Sequence, residues 1–354
     1  MRNGVVAHKL ITWYQENKRS LPWRTTKDPY KIWLSEVILQ QTRVAQGLHY
    51  YHRFVEQYPT IQALAAAKEQ DVLRLWQGLG YYTRARNLHK GARKVVDEYK
   101  GVFPSSFIEL QKIPGIGSYT AAAIASISFG EKIAVVDGNV FRVLARIFGI
   151  DEDILSNQGK ATFFKLANEL ISQEEPDTFN QAIMEFGALQ CVPKNPACEV
   201  CVFKKQCVAF NNDLQAILPV KAKKQKTRKR YFYYFVFSKE KKILMRQRGE
   251  KDIWQGLHDF FSVEHEKPFT LEKLIKENPA LRHIRKSALK NVSTVYKHVL
   301  SHQTLFATFF ELPWDEKIQT HGLVKYKFFS FKQIAALPKP VLISRFLKDR
   351  GYLK

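Results

Sequence analysis

A single carboxylate interrupts an otherwise apolar run, Ile32-Trp-Leu-Ser-Glu36-Val-Ile-Leu39, and Gln40 follows it by one helical turn, within reach of the same face. A carboxyl group buried without a cationic partner tends to keep its proton, because burial penalises the charged form. That is what a general acid needs. The plain alternative is a solvated Glu on a helix surface, loosely paired with lysine. A second carboxylate ends another apolar run, Ala134-Val-Val-Asp137-Gly-Asn139-Val-Phe-Arg142, where a helix begins. By itself Asp137 could be no more than an N-cap. The third group is Cys191, Cys198, Cys201 and Cys207, every cysteine of the 354-residue chain, in the spacing C-x6-C-x2-C-x5-C. Disulfides fit poorly in a reducing compartment. Four thiolates in one short loop suit a tetrahedral zinc or a cubane cluster. Zinc usually sits between two short knuckles, whereas one knuckle with longer arms suits an iron–sulfur cluster better.

These groups need elements to hold them. Residues 110–128, LQKIPGIGSYTAAAIASIS, read as a helix, a tight turn through Gly115 and Gly117, and a second helix from Ser118. Such a turn leaves backbone N–H groups at a helix N-terminus, an anion site suited to a DNA phosphate. An ordinary helix–helix turn would look the same. Stretches 32–51, 61–75, 119–128 and 140–148 carry apolar residues at helical spacing. Residues 221–230 hold seven cations in ten and read as an exposed linker. Beyond them YFYYFVFS, KILMRQR and TLFATFFEL are aromatic and β-rich, with helical stretches near 271–277 and 341–348. The sequence therefore predicts a helical domain at 1–218, a basic linker at 219–230 and an α+β domain at 231–354.

The formal net charge is +23, from 56 Lys and Arg against 33 Asp and Glu. Such an excess favours a polyanionic partner, with nucleic acid ahead of an anionic membrane because no basic amphipathic helix or lipidation signal is visible. No apolar run is long enough to cross a bilayer, so no membrane span is expected. The opening stretch, MRNGVVAHKLITWYQENKR, turns polar too soon for a secretory segment. A cytoplasmic, bacterial-type, nucleoid-associated monomer is expected.

The cysteine spacing, the hairpin at about 107–128 and the aspartate after it together resemble the endonuclease III superfamily of DNA glycosylases. The resemblance implies a mainly α helix–hairpin–helix fold, one 4Fe–4S cluster on the 191–207 loop and a catalytic role for Asp137 beside the sugar of the target nucleotide. Members that also cut the backbone keep a lysine two residues after the hairpin's last glycine, able to form a Schiff base. Here that slot holds Tyr119, which implies an enzyme that removes a base and stops.

Within the superfamily, RSLPWR (19–24), DPYKIWLSEVILQQT (28–42) and GLGYYTRARNL (78–88) look like MutY-type adenine DNA glycosylases. The resemblance makes Glu36 the acid that protonates a flipped adenine at N7. Asp137 then stabilises the oxocarbenium-like sugar or attacks it transiently, the logic of a two-carboxylate glycosidase. Tyr119 lines that pocket, Asn139 steadies Asp137 and the water, Arg24 lies near the adenine pocket, and Arg19 and Gln40 are further substrate- or DNA-binding candidates. Tyr81 matches the family's wedge beside the orphaned partner base, with Gln41, Thr42 and Leu79 as its neighbours. Core aromatics at a helix end are the alternative for Tyr81 and Tyr82. The C-terminal domain resembles the Nudix-like module that recognises 8-oxoguanine. It lacks the glutamate-rich helix of hydrolytic Nudix domains, and its recognition loop carries Ser301 and His302 after Leu300 in place of an aromatic. The implied partner is double-stranded DNA with A:8-oxoguanine or A:G mispairs. A thymine or uracil mismatch glycosylase is the near rival; a non-catalytic lesion binder or iron–sulfur sensor is the distant one.

Overall fold

Helices dominate the chain from Asn3 to Asn211, and side-chain caps start several of them. In chain order they are α1 (Asn3–Asn17), α2 (Pro29–Leu39), α3 (Val44–Gln57), α4 (Ile61–Ala66), α5 (Glu69–Leu75), α6 (Thr83–Tyr99), α7 (Phe107–Leu110), α8 (Ser118–Phe129), α9 (Gly138–Phe148), α10 (Asn157–Leu170), α11 (Pro176–Leu189) and α12 (Val208–Asn211). Asp28, Ser106, Asp137 and Ser156 cap α2, α7, α9 and α10 by accepting a first-turn N–H, each worth about 1 kcal/mol. The computed structural model describes residues 3–222, 227–250, 253–300, 303–315, 323 and 325–353. Its contacts divide the chain into two units, Met1–Ala67 with Arg86–Lys223, and Lys68–Ala85 with Lys224–Lys354.

In the first unit α2 and α8 show almost no face to solvent: Tyr30 to Ile38, Lys31 excepted, and Thr120 to Ile127 are all buried. A helix apolar all round belongs inside a core, so a carboxylate on α2 is forced out of water. A second apolar cluster gathers α1, α9, α10 and α11 around Phe163, Phe179 and Phe186. The helical spacing at 32–51 is cut in two. Gln40 leaves the helical region with ψ 114, and Gln41 adopts φ +56. A left-handed residue just past a helix end is the usual C-terminal stop, and here it turns Gln40, Gln41 and Thr42 onto the rim of a cavity. In the hairpin, Gly115 has φ +85, and a Cβ there would stand 2.9 Å from that of Asn87. Glycine is required on both counts.

The second unit is a sheet with helices. Its strands are β1 (Arg228–Lys239), β2 (Lys242–Gln247), β3 (His258–Asp259), β4 (Phe261–His265), β5 (Asn291–Val292), β6 (Tyr296–Val299), β7 (Gln303–Pro313) and β8 (Lys327–Ser330). Central β1 and β7 run parallel, in register from Arg228 opposite Gln303 to Ser238 opposite Pro313. α13 (Leu271–Glu277), α14 (Phe331–Ala336) and α15 (Val341–Asp349) complete it. Alternate residues Tyr233, Phe235 and Phe237 of β1 enter one core with Phe310 and Leu312, as a strand's two-residue period dictates. The stretch 68–85, assigned by sequence to the first domain, groups with this unit. Gln70 donates to the Gly256 carbonyl at 3.0 Å, and Gln77 to Ser344 Oγ at 3.1 Å.

Candidate active site

A cavity of about 670 Å³ opens in the first unit among α2, the loop after it, α8, α9 and α11. Glu36 sits on its wall because α2 has no exposed face to offer. Its Oε2 accepts a 2.5 Å hydrogen bond from Tyr119 Oη, which α8 delivers from its first turn. Burial pushes the Glu36 carboxyl up to about 7, and the negative charge of Asp137 adds to the rise; the Tyr119 bond and the Arg24 charge work against it. Tyr119 is driven well above the usual phenol range by burial and by both carboxylates. It is therefore a permanent donor at neutral pH.

Asp137 faces the same cavity and caps α9. Its Oδ1 accepts from the Asn139 and Val140 backbone N–H groups, both at 2.8 Å, and its Oδ2 from Asn139 Nδ2 at 2.8 Å. Burial raises its pKa, while those three donors and Arg142 pull it back. Capping and a charge held at the cavity are thus one arrangement. Arg142, one turn along α9, fixes Asn139 through a 2.8 Å bond to Oδ1 and reaches the carbonyls of Gly187 and Cys191 at 2.6 and 2.7 Å.

Arg19 and Arg24 also reach the cavity, held by a residue that the sequence reading missed. Glu185 on α11 is 1% exposed and accepts from both guanidiniums at 2.5–2.8 Å. Burial alone would raise its pKa, but the two forks override it and leave it at about 2. The signal was available: Ala182-Ile-Met-Glu185-Phe-Gly-Ala-Leu is a lone carboxylate in an apolar helix, the same pattern as at Glu36. Met184, whose sulfur lies 3.6 Å from Tyr119 Oη, carries no comparable signal.

The cavity brings together Glu36, Tyr119, Asp137, Asn139, Arg19 and Arg24, with Gln40, Gln41, Thr42, Gly117 and Ser118 at its walls. Gln40 lies 3.4 Å from Thr120 Oγ1. Gly117 is the N-cap of α8 and, as glycine, brings no side chain of its own to the helix's first N–H groups. Gly115 shapes the turn away from the cavity. Leu79 and Tyr81 belong to the second unit; Leu79 is buried and Tyr81 is 47% exposed, whereas Tyr82 is buried. Ser301 and His302 lie outside the described residues. Leu300 follows β6, its N–H donating to the Gln303 carbonyl at 2.8 Å.

The four cysteines line one small cavity with Arg146, Phe186 and Phe203. Among the described residues no three His, Cys, Asp or Glu groups surround a single-ion position. Donors already face sulfur: Arg146 Nη1 lies 3.4 Å from Cys191 Sγ, and the Phe203 N–H lies 3.4 Å from Cys201 Sγ. Four thiols around a cavity, with N–H groups on the sulfurs, fit a cluster that needs thiolate ligands and hydrogen bonds to them. No helix among the described residues is long and apolar enough to cross a membrane.

Comparison with known proteins relates the chain to DNA repair enzymes. A model described as HhH-GPD superfamily base excision DNA repair protein matches residues 34–170, and a NUDIX domain model matches 232–349. A protein of Buchnera aphidicola subsp. Baizongia pistaciae named adenine DNA glycosylase is 35% identical over 312 residues, covering 86% of this chain and 85% of its own. A human protein of the same name is 46% identical over 209 residues, which is 56% of this chain and 38% of the human one. Among solved structures, a thermostable thymine-DNA glycosylase aligns with TM-score 0.55 and 29% identity over 60% of this chain and 97% of that one. A non-covalent endonuclease III–DNA complex aligns with TM-score 0.52 and 23% identity over 61% and 99%, a likeness of fold.

Proposed function

The chain belongs to the adenine DNA glycosylases, enzymes of base excision repair built on the helix–hairpin–helix fold with a Nudix-type domain, and on that premise we propose that it hydrolyses the N-glycosidic bond of adenine paired with 8-oxoguanine or guanine. The observation that carries the reading is the Glu36–Tyr119–Asp137 constellation around one cavity. Glu36, whose burial raises its pKa from the ordinary carboxyl range to about 7, gives its proton to the flipped adenine, so that the base leaves neutral. Tyr119 occupies Oε2 as a donor, which leaves Oε1 to carry that proton. Asp137 offers a fixed negative charge to the sugar as positive charge develops there, and Asn139 holds its orientation. Arg19 and Arg24, clamped by Glu185, line the adenine side. The alignment with the Buchnera protein spans most of this chain, whereas the thymine glycosylase matches only 60% of it. That favours adenine over thymine.

With no lysine at position 119, no Schiff base forms there, and the product is an intact abasic strand. A strand-labelled duplex with A opposite 8-oxoguanine, incubated with the enzyme, should break only after alkali treatment. Breakage without alkali would overturn the assignment of Tyr119. Release equal or greater from T:G duplexes would overturn the substrate.

Cys191, Cys198, Cys201 and Cys207 would hold a 4Fe–4S cluster, which would order the lysine-bearing loop and supply no step of the hydrolysis. The purified protein should show broad visible absorbance with iron and sulfide in comparable amounts, and Cys198→Ser should lose both. Zinc without colour would reject the cluster.

A further inference from the structure

The loop that joins α5 to α6 holds an aromatic side chain in a conformation it would not choose. Tyr81 has φ +48 and leaves 47% of its surface exposed. A bulky residue in the left-handed region is strained, and such strain persists only where its surroundings fix it. What fixes it is close by. Fully buried Trp76 donates from Nε1 to the Gly80 carbonyl at 2.9 Å, holding the turn immediately before Tyr81. The guanidinium of Arg84 lies 5.1 Å from the Trp76 ring centre and 5.7 Å from that of Tyr81, against both rings at once. Its Nη2 leans toward the Leu79 and Gly80 carbonyls at 3.4 and 3.5 Å. Burial lowers its pKa only to about 10, so it is charged at neutral pH. The base of the loop is anchored within its own unit, where Gln77 bonds Ser344 and the Tyr82 hydroxyl reaches the Lys339 carbonyl.

We propose that Arg84 is a positioning residue that holds Tyr81 ready to insert into duplex DNA, so that the strain of the inserted pose is met during folding rather than on binding. The proposal rests on the reading of Tyr81 as the wedge beside the orphaned base. Arginine suits the task because a flat guanidinium can lie against two aromatic faces and still meet carbonyls at its edge, whereas an ammonium group cannot. Ordering a strained loop before contact removes that cost from the binding step.

The test is a double-mutant cycle on the full chain, with a non-cleavable 2′-fluoro-adenosine placed opposite 8-oxoguanine and a matched A:T duplex as reference. Arg84→Lys and Tyr81→Ala are each expected to lower the preference for the mispair by roughly tenfold, and the double variant should do no worse than Tyr81→Ala alone. Arg84→Met, which fills the same slot without charge, should reproduce Arg84→Lys; thermal melting checks that each variant folds. The salt dependence of binding should keep its slope in Arg84→Lys and Arg84→Met, since loss of a phosphate contact would reduce it by about one. Additive losses, or a reduced slope in Arg84→Met, would overturn the positioning role while leaving Tyr81 as the wedge. An unchanged preference in Tyr81→Ala would instead overturn the wedge reading, and the proposal with it.

Discussion

Replacing Glu36 by Gln should slow single-turnover adenine release by about 10²–10⁴-fold, the usual worth of a positioned general acid, with binding to the mispaired duplex changed only a few-fold. Gln still accepts the Tyr119 hydroxyl, so the cavity wall keeps its shape and only the transferable proton is lost. The pH profile of the parent enzyme gives a second readout. Release should fall as pH rises through about 7, where Glu36 loses its proton. It should fall again in acid, where Asp137 is protonated above the ordinary aspartate range. Stability carries the same signature with a definite sign. The folded pKa of Glu36 is raised from 4.5 to about 7, so folding favours the protonated form. Its ionisation penalty is absent below the unfolded value, grows between the two, and is complete above about 7. Removing it should stabilise Glu36→Gln over the parent by about 3 kcal/mol at pH 8 and by little at pH 4. A variant with the same melting difference at both pH values would mean that Glu36 is solvated, and the general-acid role would fall with it.

Residue types make candidates for this site visible, and the limits follow from what periodicity reports. Glu36 and Asp137 stand out as carboxylates at apolar runs, yet each has a plain alternative, a solvated helix face or an N-cap, and it is the resemblance to the glycosylase family that gives them and Tyr119 their roles. Glu185 has the same local pattern as Glu36. Its environment is the opposite, however, since Arg19 and Arg24, from the far end of the same domain's sequence, hold it ionised. No one-dimensional pattern distinguishes a carboxylate that keeps its proton from one that loses it; the partner decides. The break at Gln40 escapes notice for a related reason. Gln-Gln-Thr-Arg contains no Gly or Pro, and the helix ends because Gln41 accepts a left-handed conformation. Of the second unit's strands, β1, β2 and β7 were legible as β-rich runs, while the short β3, β4, β5, β6 and β8 were not. The parallel pairing of β1 with β7 was not, because register is set by partners as distant in sequence as Arg228 and Gln303. The grouping of 68–85 with that unit is equally non-local, resting on Gln70 and Gln77 meeting Gly256 and Ser344.

Asp137 performs two tasks that a single pair of substitutions should separate. In Asp137→Asn the new amide oxygen still caps α9, but the new NH2 meets Asn139 Nδ2, a donor against a donor where a 2.8 Å bond stood. A buried polar group deprived of its partner costs about 1–3 kcal/mol, so the melting temperature should drop. Excision should fall by about 10²–10³-fold, the scale on which removing one preorganised electrostatic contact slows a charged transition state. Adding Asn139→Asp restores the pairing: one carboxylate oxygen accepts from the new amide and the other from Arg142, which already donates to that position at 2.8 Å. The double variant should therefore recover its melting temperature and keep the formal charge of the cavity unchanged. Excision should stay low, because the negative charge has moved from the cap of α9 into its first turn, against Arg142. If excision returned together with stability, any negative charge on that wall would suffice, and the position of Asp137 would matter only to the helix it caps.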